Sequence, residues 1–383
     1  VSKLDDETLE LSSDQAQDRL AAIGFADPRG ALGHIGALTS GLSRRAAIQK
    51  QLLPVLIQWF SQGSDPDAAL LAFRRLSEDL GDSPWYLRML RDSSGAAERM
   101  TQVLANSKYA TALFERMPEA AAWFDRAEEL NPLSRQEIDS ELLAIVGRHD
   151  QAEPAAAAIR AVRRRETLRI AMGAVLGQLD LRSIEIGLSD LFDSCLNALQ
   201  ILAIKINAVE ELDLSIVAMG RYGGRELGFG SDADVVFVYS GDPEKAQAAA
   251  EIVVSEIRKF AVDPQLEFEL DLDLRPEGKK GPIVRSLDSY RNYFERWAST
   301  WEFQALLRAR AVTGSAELRQ EFTELIDKFR YPEELTASQL TEIRRIKARV
   351  ETERLPQGAD PLRHLKLGRG SISDVEWAVQ LKQ

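Results

Sequence analysis

The sequence has 383 residues, a formal net charge of −12 at pH 7 and an isoelectric point near 5.0. A nucleic acid requires a basic protein surface, so this acidic balance argues against DNA or RNA as a partner. Hydrophobic residues make up 45% of the chain and charged residues 28%, which is typical of soluble globular proteins. No apolar run is long enough to span a bilayer, so we expect no membrane partner.

The single cysteine, Cys195, cannot form a disulfide within the chain. A protein without disulfides and without a recognisable signal peptide is expected in the reducing cytoplasm. The sequence stops inside a helical pattern at Gln383, so we expect the chain to be a fragment of a longer protein.

The first 180 residues carry apolar side chains at helical spacing, interrupted by Asp-Pro, Gly-Asp-Ser-Pro and Asn-Pro turns. Gly30, Gly33 and Gly36 form a G-x-x-G-x-x-G string that no strand precedes. We therefore assign these glycines to tight packing or a turn rather than to nucleotide binding. The helices predicted in this part cover 47–60, 67–80, 96–104 and 155–179.

The middle of the chain is predicted to be a mixed α/β unit, because strand patterns there are separated by a helical one. A long helix leads into it, and the helical pattern returns beyond residue 283. The predicted elements are helix 183–209, strand 214–219, strand 234–240, helix 243–262, strand 266–274, and helices 287–297, 316–329, 337–354 and 371–381.

These patterns predict a predominantly helical α+β fold with a small mixed sheet. We expect an N-terminal helical domain over 1–180 and a catalytic α/β domain over 181–315. A truncated C-terminal helical segment follows over 316–383.

A glycine-rich turn lies between the first two strands, and Ser231-Asp232-Ala233-Asp234 ends it. Because side chains alternate along a strand, Asp232 and Asp234 point the same way. Their mutual repulsion would raise at least one pKa, and a divalent cation bound together with substrate phosphates would remove that penalty. Glycine N–H groups can approach phosphate oxygens closely. The segment therefore predicts magnesium-dependent transfer of part of a nucleotide.

The predicted strand 266–274 alternates strictly between apolar residues and the acids Glu267, Glu269, Asp271 and Asp273. A solvated outer face is the usual explanation of such acids. Four like charges accompanying the Asp232/Asp234 pair nevertheless favour metal or phosphate chemistry. The basic turn that follows, 275–282, suits a triphosphate or the acids themselves.

These parts predict in-line displacement at the α-phosphorus of a nucleoside triphosphate, with pyrophosphate leaving. Asp232 and Asp234 would bridge two magnesium ions, and Asp271 would hold the ion that activates the incoming hydroxyl. The scheme needs no covalent enzyme intermediate.

Segment 220–234, together with the Asp271 strand, resembles the polymerase-β-type nucleotidyltransferase superfamily, which has a glycine turn, an Asp-x-Asp pair and a later strand carboxylate. A closer resemblance covers nearly the whole chain and points to the bifunctional glutamine synthetase adenylyltransferase/adenylyl-removing enzyme family. The segments that resemble this family are Gly220–Gly228, Leu274–Pro282, Trp301–Arg310 and Leu365–Trp377.

The resemblance implies a polymerase-β-type core flanked by helical regions, with Mg²⁺ as the cofactor and ATP as a substrate. It implies that the metal-binding, catalytic carboxylates are Asp232, Asp234 and Asp271. The nucleotide-binding residues predicted from the resemblance and the turn chemistry are Gly220, Arg221, Gly223, Gly224, Ser231, Arg275 and Lys279.

That family has one domain that attaches AMP to a tyrosine of glutamine synthetase and a related domain that removes it. Glu226–Ser231 resembles the attaching domain, and Gly24–Arg29 and Glu342–Val350 resemble the attaching half of actinobacterial members, so attachment with release of pyrophosphate is the prediction. Phosphorolytic removal of AMP and a non-catalytic nucleotide-binding module remain alternatives. The implied partners are glutamine synthetase and a PII-type nitrogen signalling protein, and we expect a monomer.

The sequence departs from the family pattern at two positions. Arg221 stands where many members have Lys, which keeps the charge and changes its geometry. Asp273 stands where members often have Arg or Ala. Its role stays open, as do the roles of three residues in the last motif, Lys366, Asp374 and Glu376.

Two arginines follow the aromatic segment that contains Trp297, Trp301 and Phe303. We expect the aromatic side chains to pack within a helix. Arg308 and Arg310 could then reach phosphate or the acidic strand.

Overall fold

The computed structural model describes residues 13–81 and 83–383. The predicted fold class is confirmed, because the described part is mostly helical and contains one small mixed sheet of five strands. Within the described residues, each helix is too short or too polar to cross a lipid bilayer.

Residue contacts divide the chain into two compact units. The first consists of the residues up to Ser134 and Ala161–Leu188, and the second of Arg135–Arg160 and Ser189–Gln383. The predicted division into three domains stays a prediction.

The first unit is helical, and several of its helices start at side-chain caps. Asp27 and Asp65 each accept a hydrogen bond from the backbone N–H three residues later, and a proline follows each of them. Such caps satisfy N–H groups that have no partner inside the helix. The helices are α1 Ser13–Ala22, α2 Pro28–Thr39, α3 Arg44–Ser61, α4 Pro66–Leu80, α5 Pro84–Asp92, α6 Ser94–Asn106 and α7 Lys108–Phe114, with 3₁₀ helices at Pro118–Asp125 and Ala127–Leu130.

The glycine string in this unit lies inside α2 rather than in a turn. A Cβ added at Gly33 or Gly36 would meet no atom within 4 Å, so the prediction of tight packing is wrong at these two positions. The Asp27 cap and Pro28 start the helix despite the low helical propensity of glycine.

Three further helices follow, and two of them contribute residues to both units. They are α8 Arg135–Arg148, α9 Ala152–Val175 and α10 Leu181–Asn207.

The sheet of the second unit is built around two buried antiparallel strands. These are β1 Leu214–Ala218 and β2 Ala233–Tyr239, with Leu214 opposite Tyr239 and Ala218 opposite Val235. Their near-continuous apolar sequence matches their burial on both faces. The shorter strands are β3 Leu270–Asp271, β4 Val284–Ser286 and β5 Arg310–Ala311.

The acidic strand predicted over 266–274 is much shorter than expected. Only Leu270 and Asp271 pair with the sheet, parallel to Ala233 and Asp234. The other end of β2 pairs with β4 instead, so the two short strands share one edge of β2. The Asp271 side chain also accepts a hydrogen bond from the Asp273 N–H at 2.7 Å, which turns the chain away from the sheet.

Helices cover this sheet, and the predicted C-terminal helices are confirmed within a few residues at each end. Val217 and Val236 of the sheet share a core cluster with Tyr290, Phe294 and Phe322 from the helices that pack on it. From residue 220 onward the helices of this unit are α11 Gly220–Gly223, α12 Pro243–Ala261, α13 Leu287–Arg296, α14 Thr300–Leu306, α15 Ala316–Arg330, α16 Ala337–Glu353 and α17 Ile372–Gln380.

A chain of buried hydrogen bonds ties β1 to α10. The Ile216 N–H donates to Thr313 Oγ1 at 2.8 Å, and that hydroxyl donates to Gln200 Oε1 at 2.7 Å. Gln200 Nε2 then donates to the Leu214 carbonyl at 2.7 Å. Each of these polar groups is satisfied by the next, so removing the Thr313 hydroxyl would leave two of them without a partner.

We predict that Thr313→Val lowers the free energy of unfolding by about 1–3 kcal/mol, because it leaves the backbone N–H of Ile216 and the side-chain oxygen Oε1 of Gln200 buried and unpaired. Thr313→Ser keeps the hydroxyl and serves as the matched control. Denaturant unfolding followed by circular dichroism measures both variants. Equal stability of the Val and Ser variants would show that this hydrogen-bond chain does not stabilise the sheet.

Candidate metal and nucleotide site

Three carboxylates converge at one end of β2. Asp232 and Asp234 lie on the same side because side chains alternate, and the parallel pairing of β2 with β3 sets Asp271 opposite Asp234. One carboxylate oxygen from each residue lies within 4.8 Å of the other two. The structure therefore brings together all three carboxylates that the sequence selected, and it leaves Asp273 outside the group.

Burial and like charge shape the electrostatics of this group. Asp234 is half-buried, and its burial, together with the charges of Asp232 and Asp271, raises its pKa to about 6. Arg221 and Arg308 act in the opposite direction and lower this pKa. A divalent cation would relieve the repulsion, and an all-oxygen donor set fits a hard ion such as Mg²⁺.

The glycine turn lies directly against this group. Gly220 has a φ of +52°, and a Cβ there would overlap Oδ2 of Asp234. A Cβ at Gly223 would overlap the carbonyl oxygen of Arg308. The N–H groups of Gly223 and Gly224 already donate to the carbonyls of Met219 and Gly220, at 2.7 and 3.2 Å. Close packing thus explains Gly220 and Gly223, and the cradling of phosphate stays a prediction.

The other predicted nucleotide-binding residues have different surroundings. Ser231 Oγ accepts a hydrogen bond from the Gly228 N–H at 3.1 Å and so closes the loop before Asp232. Arg275 donates to the backbone carbonyls of Leu272, Lys279 and Gly281, at 2.7 to 3.1 Å, and thereby shapes the basic turn. Lys279 is exposed and pairs with Asp273 at 3.1 Å. Arg221 is exposed and acts on Asp234 through its charge.

A buried carboxylate that the sequence did not select anchors the turn. Asp193 on α10 is fully buried and accepts hydrogen bonds from the Tyr222 hydroxyl at 2.8 Å and from Arg310 at 2.7 and 3.0 Å. Arg135 adds a further bond at 2.5 Å. Arg310 therefore pairs with Asp193 rather than with the acidic strand or a phosphate site. An acid among the apolar residues of α10 was the signal in the sequence.

The acids of the last motif lie outside the group of three. Asp374 pairs with Lys347, and the hydrogen bond from Lys347 is the main cause of its lowered pKa. The Gly370 N–H also donates to Asp374, at 2.6 Å. Glu376 approaches Arg308 at 3.9 Å.

The aromatic side chains of the segment before Arg308 were predicted to pack within a helix. This prediction is wrong for Trp297, because its side chain is exposed.

Comparison of the sequence with known proteins relates the chain to one protein family. The sequence model of the family described as glutamate-ammonia ligase adenylyltransferase matches residues 97–325. A protein of Leifsonia xyli subsp. xyli is 55% identical over 378 residues, which are 97% of this chain and 37% of that protein. A protein of Cutibacterium acnes is 46% identical over 387 residues, which are 100% of this chain and 39% of that protein.

A third relative, from Streptomyces avermitilis, is 47% identical over 399 residues, which are 97% of this chain and 40% of that protein. All three relatives carry the name bifunctional glutamine synthetase adenylyltransferase/adenylyl-removing enzyme. The chain thus spans about two fifths of the length of these curated relatives.

We predict that Asp234→Asn raises the melting temperature of the metal-free protein at pH 8 by about 2 °C or more. The folded pKa of Asp234, about 6, lies above the ordinary value of 3.8. Its stabilising contribution is therefore full below pH 3.8 and is lost as the pH rises through 6. Asparagine carries no charge, so the gain should shrink as the pH falls toward 4.

Differential scanning calorimetry in a chelator measures this effect, with Glu269→Gln as the control at an exposed acid of the same segment. Added Mg²⁺ should stabilise the unsubstituted protein more than the Asn variant. An Asp234 carboxyl that titrates near 4 by ¹³C NMR would contradict the prediction.

Proposed function

The chain belongs to the glutamate-ammonia ligase adenylyltransferase family, and on that premise we propose that it transfers AMP from ATP to a tyrosine hydroxyl of glutamine synthetase. The observation that carries the proposal is the convergence of Asp232, Asp234 and Asp271 beside the glycine turn. The names of the relatives supply the protein substrate. The tyrosine acceptor comes from the resemblance of the sequence motifs.

In the proposed reaction, the tyrosine oxygen bonds to the α-phosphorus of ATP while the bond from that phosphorus to the bridging oxygen breaks. The products are AMP-tyrosine, pyrophosphate and one proton. Magnesium held by the three carboxylates would neutralise phosphate charge and make the hydroxyl easier to deprotonate. The chain's own contribution is to hold the reactants in line and to supply the three carboxylates that would hold the cation.

The surrounding residues hold the parts of the site in register. Gly220 allows the turn to lie against Asp234 without a side chain between them. Asp193 and Arg310 hold Tyr222 and therefore the turn itself. A site whose shape is set before the substrate arrives loses less binding energy to ordering.

The removal of AMP is the second candidate, because the relatives' names include both activities. In that reaction phosphate attacks the phosphorus of AMP-tyrosine, the bond from that phosphorus to the tyrosine oxygen breaks, and the products are ADP and the unmodified tyrosine side chain of glutamine synthetase. The same carboxylates would serve both reactions, so the geometry does not favour one over the other. A module that only binds nucleotide has less support, since binding alone does not call for three converging carboxylates. The cytoplasmic location, the monomeric state and the PII-type partner stay predictions from the sequence.

One experiment separates these candidates. Glutamine synthetase is incubated with the protein, Mg²⁺ and ATP labelled at the α-phosphorus, and the tyrosine label and released pyrophosphate are counted. Attachment gives one pyrophosphate for each labelled tyrosine. In the reverse arm, labelled AMP-glutamine synthetase and phosphate give labelled ADP if the chain removes AMP. Binding of ATP without either product would leave only the nucleotide-binding module.

We predict that Asp232→Asn and Asp234→Asn each lower the transfer rate by about 10³-fold, because each removes a carboxylate that would hold the cation acting at the reacting phosphate. Circular dichroism should show an unchanged fold, since asparagine has the size of aspartate. Glu269→Gln, which removes an exposed charge from the same acidic segment, should keep the rate within about threefold. Retention of a tenth or more of the rate in either Asn variant would refute the assignment of that residue.

A further inference from the structure

Arg308 is a basic residue close to the site that the functional argument has not used. It lies two residues beyond the end of α14, and its guanidinium pairs with Glu226 at 2.8 Å and approaches Glu376 at 3.9 Å. The Arg308 side chain is 24% exposed, whereas the two glutamates are 43% and 41% exposed. These are partly solvated ion pairs, which are weak, so the guanidinium can change partners at little cost.

The backbone and side-chain stem of Arg308 lie against the glycine turn. A Cβ at Gly224 would be 3.0 Å from Cδ of Arg308, and a Cβ at Gly223 would overlap the Arg308 carbonyl oxygen. Arg308 therefore lies along the turn at its Gly224 end, while Gly220 at the other end contacts Asp234.

The neighbouring arginines differ from Arg308 in their partners. Arg310 is bound to the fully buried Asp193, and Arg275 to three backbone carbonyls. Arg310 cannot leave its partner without leaving a buried carboxylate with fewer hydrogen bonds, and Arg275 would lose three hydrogen bonds within its own turn. Arg308 combines closeness to the turn with partners from which it can separate.

We propose that Arg308 binds the pyrophosphate portion of ATP at the Gly224 end of the turn. This inference rests on the proposed function, because in-line transfer requires the α-phosphorus to lie at the carboxylates. The β- and γ-phosphates then extend along the turn toward Arg308. A guanidinium can bind phosphate oxygens through two parallel hydrogen bonds, which makes phosphate a better partner than a half-exposed glutamate.

The proposal also assigns a role to the last sequence motif. Glu376, on α17, competes with phosphate for Arg308, and Gln380 on the same helix bonds to Gln304 of α14 at 2.6 Å. Binding of ATP would thus release one contact between α17 and the segment that carries Arg308.

Isothermal titration calorimetry with Mg²⁺ and α,β-methylene ATP, which cannot undergo the transfer, tests the proposal, with AMP as the second ligand. Arg308→Gln should weaken binding of the ATP analogue by about 10–100-fold, the range for a lost charge-assisted hydrogen bond. Binding of AMP should change by less than about twofold, because AMP lacks the pyrophosphate portion. Arg308→Lys should bind the ATP analogue more weakly than the unsubstituted protein and more tightly than Arg308→Gln, since lysine keeps the charge without the planar guanidinium.

Arg349→Gln is the matched control, because Arg349 also pairs with a glutamate, Glu353, but on the exposed face of α16. It should bind both ligands as the unsubstituted protein does. Equal weakening of AMP and of the ATP analogue by Arg308→Gln, or no weakening of either, would overturn the proposal. Melting temperatures of all variants show whether folding is intact.

Glu376→Gln provides an independent variant that keeps Arg308. Loss of the competing carboxylate should tighten binding of the ATP analogue by about 2–5-fold. Weaker binding at an unchanged melting temperature would overturn the competition between Glu376 and phosphate.

The proposed function and the inference fail in different ways. If the unsubstituted protein labels glutamine synthetase but Arg308→Gln binds the ATP analogue equally well, the inference alone is wrong. If Arg308 is needed for binding but no transfer occurs in either direction, the proposed function alone is wrong. If the unsubstituted protein binds neither ligand, both are wrong.

Discussion

Repulsion between like charges held together by the sheet is the constraint on which the rest of the site depends. Parallel pairing sets Asp271 of β3 opposite Asp234 of β2, and the carboxylates of these two residues and Asp232 lie within 4.8 Å of one another. Such an arrangement lowers the stability of the metal-free protein at neutral pH. A bound cation would supply the missing positive charge, and the phosphates of the substrate would supply further oxygen ligands to that cation.

Buried polar contacts elsewhere in the second unit hold the elements around the three carboxylates in place despite their mutual repulsion. Asp193 receives hydrogen bonds from both Tyr222 and Arg310, so the glycine turn is attached to α10 by a satisfied buried carboxylate. Thr313 and Gln200 attach β1 to the same helix. Any other arrangement would leave some of these buried polar groups without hydrogen-bond partners, which is costly. The contacts therefore define one position for the turn relative to β2.

The C-terminal helices reach the site through α14. Thr300 at its start bonds to Glu342 of α16 at 2.7 Å, and Gln304 bonds to Gln380 of α17. Arg308, just beyond its end, approaches Glu376 of α17. The motif at the end of the chain is therefore connected to the carboxylates by packing and hydrogen bonds, although it supplies none of the three. This connection brings Glu376 close to Arg308, which also pairs with Glu226.

The sequence by itself determined many of the helices, the two long strands and the position of Asp232 and Asp234 on one side of β2, because periodicity and turn chemistry are written in neighbouring residues. It did not predict the bounds of α1, α2, α5, α7, α8 or α14. Tertiary structure alone decided how much of 266–274 would join the sheet, since β4 takes the other half of the β2 edge. It also decided which arginine meets which acid. Arg310 pairs with Asp193, 117 positions earlier in the chain, and no local pattern encodes a contact between residues so far apart.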